Sequence, residues 1–473
     1  GTSLFFVGYL QIWNKNFNFV LIKNGFIMEV SQIVESQRNF FATGATRNVN
    51  FRREQLLKLR ETLQRYEPQL LDALWRDLHK SEREAFLTEM SIVYGEIRYA
   101  LRHLKKWAKR KSVRPELKVL PSRSYIQYEP LGVSLIIAPW NYPVNLLFAP
   151  LVGAISAGCT AVLKSSPYTP TVDAVMREMV EATFSSEYIA YTQGGRDKNS
   201  ELLAERWDMI FYTGSPAVGR VVMQAAAKNL TPCVLELGGK SPCIVDKAAD
   251  IDVAARRIVW GKCINAGQTC IAPDYLFVHS SIKEQLLDRM RYYITKSFGD
   301  NPEKSDYLCR IVSDKAMARL TSYADLPHDL STRYIAPTIL DNISPNHPIM
   351  QEEIFGPILP VMQFDDISEV EQYVNSHEKP LAFYYFGREK DGWNLINRTT
   401  SGGACINDVL MHISNSNLPF GGVGNSGIGK YHRYESFLAF SNRRAVLATP
   451  TWFDLPVKFP PFKGLDLFKG FLK

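Results

Sequence analysis

The stretch LGVSLIIAPWNYPVNLLFAPLVGAISAGCTAVL, Leu131 to Leu163, runs for 33 residues without a charge. One helix of that length would cross a bilayer. Prolines 139, 143 and 150 divide it instead. In pieces it reads as an extended run GVSLIIAP, a helical run PVNLLFAPLVGAISAG and a second extended run CTAVLK. None has a polar face, so the unit is a buried β-α-β and the chain is α/β.

The alternation continues downstream. TAVLK is followed by TVDAVMREMVEATF, YIAYTQ by NSELLAER, MIFYTG by AVGRVVMQAAAK, and the series closes on PCVLELGG. Short apolar strands separated by helices need right-handed crossovers and a mostly parallel sheet, which is a doubly wound nucleotide-binding architecture. A second α/β series starts at PCIVD and ends at GACIND. Upstream, residues 50–110 carry apolar positions at helical spacing, and Pro68 is expected to interrupt them. The run SYIQYEPLGVSLII is β-rich, and Pro130 within it suits an edge ribbon.

A length of 473 residues implies two or three domains, and 46% hydrophobic with 22% charged residues implies a globular fold. The net charge of +7 is spread along the chain. Nucleic acid is therefore not an implied partner, while an anionic cofactor is compatible. Seven scattered cysteines without a C-x-x-C pair argue against a disulfide framework and a zinc knuckle, and suit a reducing, cytoplasmic setting. The histidines lack metal-binding spacing, so no metal is expected. Residues 1–27 lack a basic leader segment and a cleavage site. Met28 is read as the natural start, with an upstream or non-native extension before it.

Two glycine patterns compete for a dinucleotide. GVGNSG (Gly422 to Gly427) matches G-x-G-x-x-G but follows Pro419-Phe420 rather than a strand, so it reads as a tight loop. TGSPAVG (Thr213 to Gly219) follows MIFY and opens a helix, where backbone N–H groups would face a phosphate; an ordinary β-α turn capped by Ser215 is the alternative. Cys270 in INAGQTCIAP occupies a polar, turn-like context whose backbone donors could favour a thiolate. A buried core thiol is the competing reading. No His lies near it in sequence, and His412 and His432 cannot be placed. Glu236, at the end of an extended run before two glycines, could act as a general base on water or be merely a solvated or capping residue.

Six motifs in order, PWNYP (139–143), FYTGS (211–215), LELGGK (235–240), GQTC (267–270), EEIFGP (352–357) and PFGGVGNSG (419–427), resemble the NAD(P)-dependent aldehyde dehydrogenase superfamily. RYIAPTIL and GKYH make the chain most similar to the class 3 and fatty aldehyde branch. The resemblance runs from about Arg38 to the mid-450s. It implies an aldehyde dehydrogenase-like fold: two doubly wound α/β domains, a Rossmann-like cofactor domain and a catalytic domain, with a β-ribbon oligomerisation element. The boundaries read are 28–114 and 131–236 for NAD(P) binding, 237–428 for catalysis, 115–130 and 440–450 for the ribbon, and 451–473 for a tail.

The resemblance also implies roles. Cys270 matches the nucleophile that forms a thiohemiacetal and then a thioester. The Asn141 amide, with the Cys270 N–H, matches the oxyanion donors, and Glu236 matches the base for hydrolysis. Glu353 and Phe355 match the grip on the nicotinamide ribose and ring, and Lys164 matches the adenosine ribose lysine. Trp140, Gly214, Ser215 and Gly219 match the pyrophosphate and adenosine side. The substrate implied is a small-molecule aldehyde, medium- or long-chain aliphatic or aromatic, and the assembly a homodimer.

Three departures qualify this. Pro167 stands where many relatives place a ribose-binding glutamate, so use of both NAD and NADP is expected. The connection 319–334 looks short, either trimmed or incompletely represented. The tail PVKFPPFKGLDLFKGFLK is too short and charged to span a bilayer; packing against the protein or fraying is preferred to weak contact with a membrane surface. Transfer of the acyl group to coenzyme A, a Cys–His hydrolase and a non-catalytic binding protein are the alternatives from other classes.

Overall fold

The computed structural model describes residues 20–21, 27–415 and 417–472. Its first sheet is built around the strand Val133–Ile137, which lies parallel to Thr160–Lys164 on one side and Met209–Gly214 on the other. Ile189–Thr192 and Cys233–Leu237 extend it outward in parallel. Alternate side chains serve opposite faces: Val133, Leu135 and Ile137 pack with Val30, Ile33 and Val34 of the helix Val30–Ala42, while Ile136 joins the core on the far side.

The uncharged stretch folds as read, and its helix, Pro143–Ala157, is buried on every side. Pro143 opens the helix, where a missing N–H costs nothing. The next two amides, of Val144 and Asn145, donate to Glu89 Oε2 at 3.1 and 2.9 Å. Gly158 ends it at φ 96°, a conformation that favours glycine.

Chain order outward from Val133–Ile137 reverses at Met209–Gly214. A crevice for ligands opens at such a switch point, beyond the carboxyl ends of the strands. From Leu237 the chain passes almost directly into Pro242–Val245 of the second sheet. That sheet runs Thr338–Leu340, Ile358–Phe364, Tyr275–His279, Pro242–Val245, Ala382–Phe386, Gly403–Ile406, all in parallel. The carboxyl end of the first sheet therefore leads into the amino end of the second.

Several expectations change. Pro68 does not interrupt its helix; Val49–Leu78 is continuous, and the ring sits on an exposed face where water can satisfy the freed carbonyl. The ribbon starts earlier than residue 115. Lys111–Val113 pairs with Arg123–Pro130, residues 114–122 form turns, and Ser441–Ala448 adds on the far side. Arg123–Pro130 is thus the middle strand, not an edge, and tolerates Pro130 because it is the terminal residue. Gly427–Ile428 pairs antiparallel with Leu235 and Glu236, so the end of the segment read as catalytic belongs to the first sheet.

The connection 319–334 folds compactly, as the end of the helix Asp314–Thr321 and the short pairing of His328–Asp329 with Tyr334–Ile335. The tail does not pack inward; Trp452, Phe453, Phe459 and Phe462 are exposed. Among the described residues no helix is long and apolar enough to cross a membrane. Apart from 20–21 and 27, the extension read at 1–27 lies outside the described residues.

Gly153 brings the central helix against the helix Tyr434–Ala439: a Cβ there would lie 2.6 Å from Ser436 Cβ and 3.1 Å from its carbonyl carbon. Gly153→Val should therefore lower the thermal midpoint, with a stability loss of about 1–3 kcal/mol. An unchanged midpoint in calorimetry would contradict this packing.

Candidate active site

Cys270 follows the helix Ile251–Cys263 through a strained turn. Asn265, Ala266 and Gly267 have φ of 51, 52 and 74°. A Cβ at Gly267 would stand 2.2 Å from the Gly356 carbonyl oxygen, so only glycine fits. Buried amide side chains offset the strain. Asn265 Nδ2 donates to the carbonyls of Asn141 (2.9 Å) and Gln268 (3.1 Å), and Gln268 Nε2 donates to those of Asn265 and Arg310 (both 3.0 Å).

Asn141 reaches the same turn from the first domain, its Nδ2 donating to the Gln268 carbonyl at 3.0 Å. Its own carbonyl accepts from Lys80 Nζ at 2.9 Å. Lys80 also bonds Glu89 Oε1 at 2.9 Å, and neither of these two side chains is exposed at all. The carboxylate that caps the central helix thus fixes the lysine that holds Asn141.

Glu236 is buried, and neither of its carboxylate oxygens has a protein partner. Burial pushes its pKa up to about 8, and Lys430 pulls it back. The Cys270 thiol is also pushed well up, by burial and then by Glu353 and Glu236; the N–H groups of Cys270 and Ile271 oppose this. The turn's backbone donors, which could favour a thiolate, are thus opposed by desolvation and by two carboxyls, and the net direction for the thiol is upward.

Glu353 is pushed up to about 8 by burial and Asp274. Phe355 adopts φ 51° and meets Trp140 edge-on, with ring centroids 5.5 Å apart. This segment is tied down from several sides. Arg319 donates to the carbonyls of Glu353 (3.2 Å) and Ile354 (2.6 Å), and Lys240 to those of Ile349 (3.0 Å) and Glu352 (2.8 Å). Asp274, which pairs with Lys240, accepts from the Ile354 N–H at 2.9 Å.

Two cavities converge on Cys270. One, of about 630 Å³, extends from Gly214 and Ser215 past Trp140, Glu236, Glu353 and Phe355. The other, about 530 Å³, has a more apolar wall that includes Leu87, Ile92, Val259, Met411 and Ile413. Cys270 and Leu146 line both. Asn141 borders the first, as do the start of the helix Pro216–Ala227 and the buried, unpartnered Thr213 hydroxyl.

Lys164 and Gly219 do not line this cavity. Lys164 is buried at the end of its strand, its pKa lowered to about 8 by desolvation. A Cβ at Gly219 would come 2.7 Å from Leu237 Cδ2, so this glycine serves close helix–strand packing. The two histidines named from the sequence as distant candidates for a Cys–His pair are engaged elsewhere: His412 with Cys405 Sγ at 3.3 Å, His432 with Glu96 Oε1 at 2.9 Å.

The sequence reading missed Lys80, Glu89, Lys240, Arg319 and the buried Lys262, whose Nζ has no partner and whose pKa burial lowers to about 8. Lys80, Glu89, Arg319 and Lys262 leave no local pattern. Lys240, inside LELGGK, and Asn265 and Gln268, inside the quoted Cys270 stretch, were the ones within reach.

The family model described as "Aldehyde dehydrogenase family" matches residues 22–446. The 4,4'-diaponeurosporen-aldehyde dehydrogenase of Staphylococcus aureus is 42% identical over 455 residues, spanning 94% of this chain and 99% of its own length. "Aldehyde dehydrogenase, dimeric NADP-preferring" of Canis lupus familiaris is 41% identical, over 92% of this chain and 98% of its own. A solved structure described as the substrate-bound state of Staphylococcus aureus AldH aligns with a TM-score of 0.92 at 42% identity, covering 94% of this chain and 99% of that one.

A carboxyl whose pKa is raised on folding binds its proton more tightly in the native state, so stability falls as pH climbs from the unfolded value near 4.5 to about 8. Glu236→Gln removes that loss. The variant should match the parent near pH 4.5 and exceed it increasingly toward pH 8, by roughly 1.4 kcal/mol per unit. Denaturant unfolding at several pH values checks this; a parallel pair of curves would contradict it.

Proposed function

The chain belongs to the aldehyde dehydrogenase family, and from that premise we propose that it oxidises medium- to long-chain aliphatic or aromatic aldehydes through a covalent adduct on Cys270. NAD(P)-dependent aldehyde oxidation to the carboxylic acid is the activity. The observation that carries the residue-level reading is the convergence of a cofactor-sized cavity and a more apolar one on a single thiol.

The dinucleotide fits the larger cavity: a helix N-terminus and the unpartnered Thr213 hydroxyl stand at one end and Cys270 at the other. Gly214 and Ser215 would hold its phosphates, and Trp140, Glu353 and Phe355 its nicotinamide half. When bound, it supplies the hydride acceptor.

The chain's own residues do the rest. Cys270 Sγ attacks the aldehyde carbon from the boundary between the cavities; because burial raises its pKa, the thiol proton leaves to solvent before the carbon–sulfur bond forms. Asn141 Nδ2 has two hydrogens and gives one to Gln268. The other, with the Cys270 N–H, is free for the developing oxyanion, a donor typically worth about 3 kcal/mol of barrier. Glu236, unpartnered and titrating near neutrality, takes the proton of the water that cleaves the thioester. This carboxylate favours hydrolysis over acyl transfer to coenzyme A.

Lys164 serves the adenosine ribose in this reading, from beyond the cavity wall. Pro167 brings no carboxylate to repel a 2′-phosphate, which fits use of both coenzymes. The protein is proposed to work as a homodimer. Among the described residues nothing pairs with the outer edges of Ser441–Ala448 and Gly403–Ile406, and one can extend the other in a partner. A cytoplasmic setting accords with seven unpaired cysteines, and the exposed aromatics and lysines of the tail suit weak contact with a membrane surface.

Reduced-nicotinamide formation should appear with an aldehyde panel and without coenzyme A, and vanish in Cys270→Ala while the cofactor still binds. Turnover of the parent only with coenzyme A would shift the reaction to acyl transfer. The ratio of kcat/KM for NADP to that for NAD should exceed about one in a thousand; a lower value, corresponding to ~4 kcal/mol of discrimination, would exclude dual use.

A further inference from the structure

Lys430 lies in the chain that returns from the Gly421–Gly422 loop along the first sheet, between Ile428, which pairs with Leu235, and Tyr431, which bridges to Phe420. Its ammonium donates to the carbonyl oxygens of Gly402 and Gly422, each at 3.3 Å, and to that of Gly421. An ammonium has three hydrogens, so these contacts use all of them. The charge is thereby fixed in place, and the loop is stitched to the segment preceding Gly403–Ile406 of the second sheet.

Glu236 lies on the other side of Gly421. The position a Gly421 Cβ would take is 2.7 Å from Glu236 Oε1 and 3.0 Å from Lys430 Cδ. We propose that Lys430 is a positioning residue for the hydrolytic step: pinned by three glycine carbonyls, its ammonium faces the unpartnered Glu236 carboxylate across Gly421 and supplies its counter-charge. The proposal rests on the reading of Glu236 as the base. The motif reading used GKYH as a sign of the branch and left Lys430 without a role.

The other titratable groups facing Glu236 are the Cys270 thiol, from the turn before Tyr275–His279, and the Tyr431 hydroxyl next to Lys430. Burial pushes both well up, so both are neutral near pH 7 and neither offsets the carboxylate. Lys430 is the cation that lowers the Glu236 pKa against burial. Without that charge the carboxyl would hold its proton to higher pH, so a smaller fraction of it could accept a proton from water at a given pH.

The step can be followed directly. The full chain, loaded with p-nitrophenyl acetate, should carry an acetyl adduct on Cys270, and intact-mass measurement over time gives the rate of its hydrolysis at each pH. Lys430→Gln keeps an amide that can donate to the carbonyls but lacks the charge; Lys430→Met loses both; Lys430→Arg keeps the charge. We expect the Gln and Met variants to load normally, with the rising limb of hydrolysis displaced upward by about one unit. That is a tenfold loss on the acid side of the limb, recovering toward high pH, and Lys430→Arg should follow the parent. If Lys430→Met fails to fold, judged by cofactor binding and thermal midpoint, Lys430→Gln decides alone.

A Lys430→Gln curve that overlays the parent's, with the adduct trapped in Glu236→Gln, overturns the proposal and leaves the base assignment standing. An adduct that disappears from Glu236→Gln as fast as from the parent removes the base assignment, and the proposal with it. Lys430→Arg behaving like Lys430→Gln also overturns it, because the charge would then not be what matters.

Discussion

Lys80 and Glu89 meet with no solvent exposure on either side chain, and much of the active-site geometry hangs on that contact. Glu89 satisfies the first free amides of the central helix, and Lys80 holds the carbonyl of Asn141 just before that helix. The pair therefore fixes both the start of the helix and the loop that precedes it. Removing one member of a buried pair typically costs about 3–5 kcal/mol, because the other charge is left unpaired. Asn141 cannot shift without disturbing the core, and the Cys270 turn, bonded to Asn141 through Asn265 and Gln268, moves with it.

The same desolvation that makes the pair rigid sets the charges around the thiol. Glu236 and Glu353 are pushed to about 8, Lys262 is drawn down to about 8, and Cys270 rises well above its ordinary value. The two carboxyls and the lysine, fully charged in water, are brought toward neutrality, where proton transfer in either direction is cheap, whereas the thiol is moved away from it. The bulk of these shifts comes from being out of water, and single cations such as Lys430 only trim them. A site built this way depends on keeping solvent out as much as on the residues themselves.

Much of the architecture was legible because it follows from local pattern. The uncharged run at Leu131 to Leu163 could only be a buried β-α-β once its prolines were noticed, and the strands and helices of both series lie where apolar periodicity put them. Pro68 misled, because a proline is disruptive only where its lost hydrogen bond cannot be replaced by water. The ribbon's third strand, Lys111–Val113, was overlooked because three residues, two of them exposed, carry no alternation. Gly219 was matched to the pyrophosphate and adenosine side by the family resemblance; the structure adds that its missing side chain lets the helix approach Leu237.

By itself the sequence determined the α/β class, the family through six ordered motifs, and the identity of Cys270, Glu236 and Asn141 as candidates. Those features are local, written in short runs whose order along the chain is itself the signal. What the tertiary structure decided is the environment: that two cavities meet at Cys270, that burial pushes the thiol's pKa up, that Glu236 has no partner among the described residues, and that Lys80, Glu89 and Lys430 stand behind the site. The physical reason is that burial and Coulomb interaction depend on distance in space. Lys430 and Glu236 are far apart in sequence, and no pattern along the chain records that both lie against Gly421.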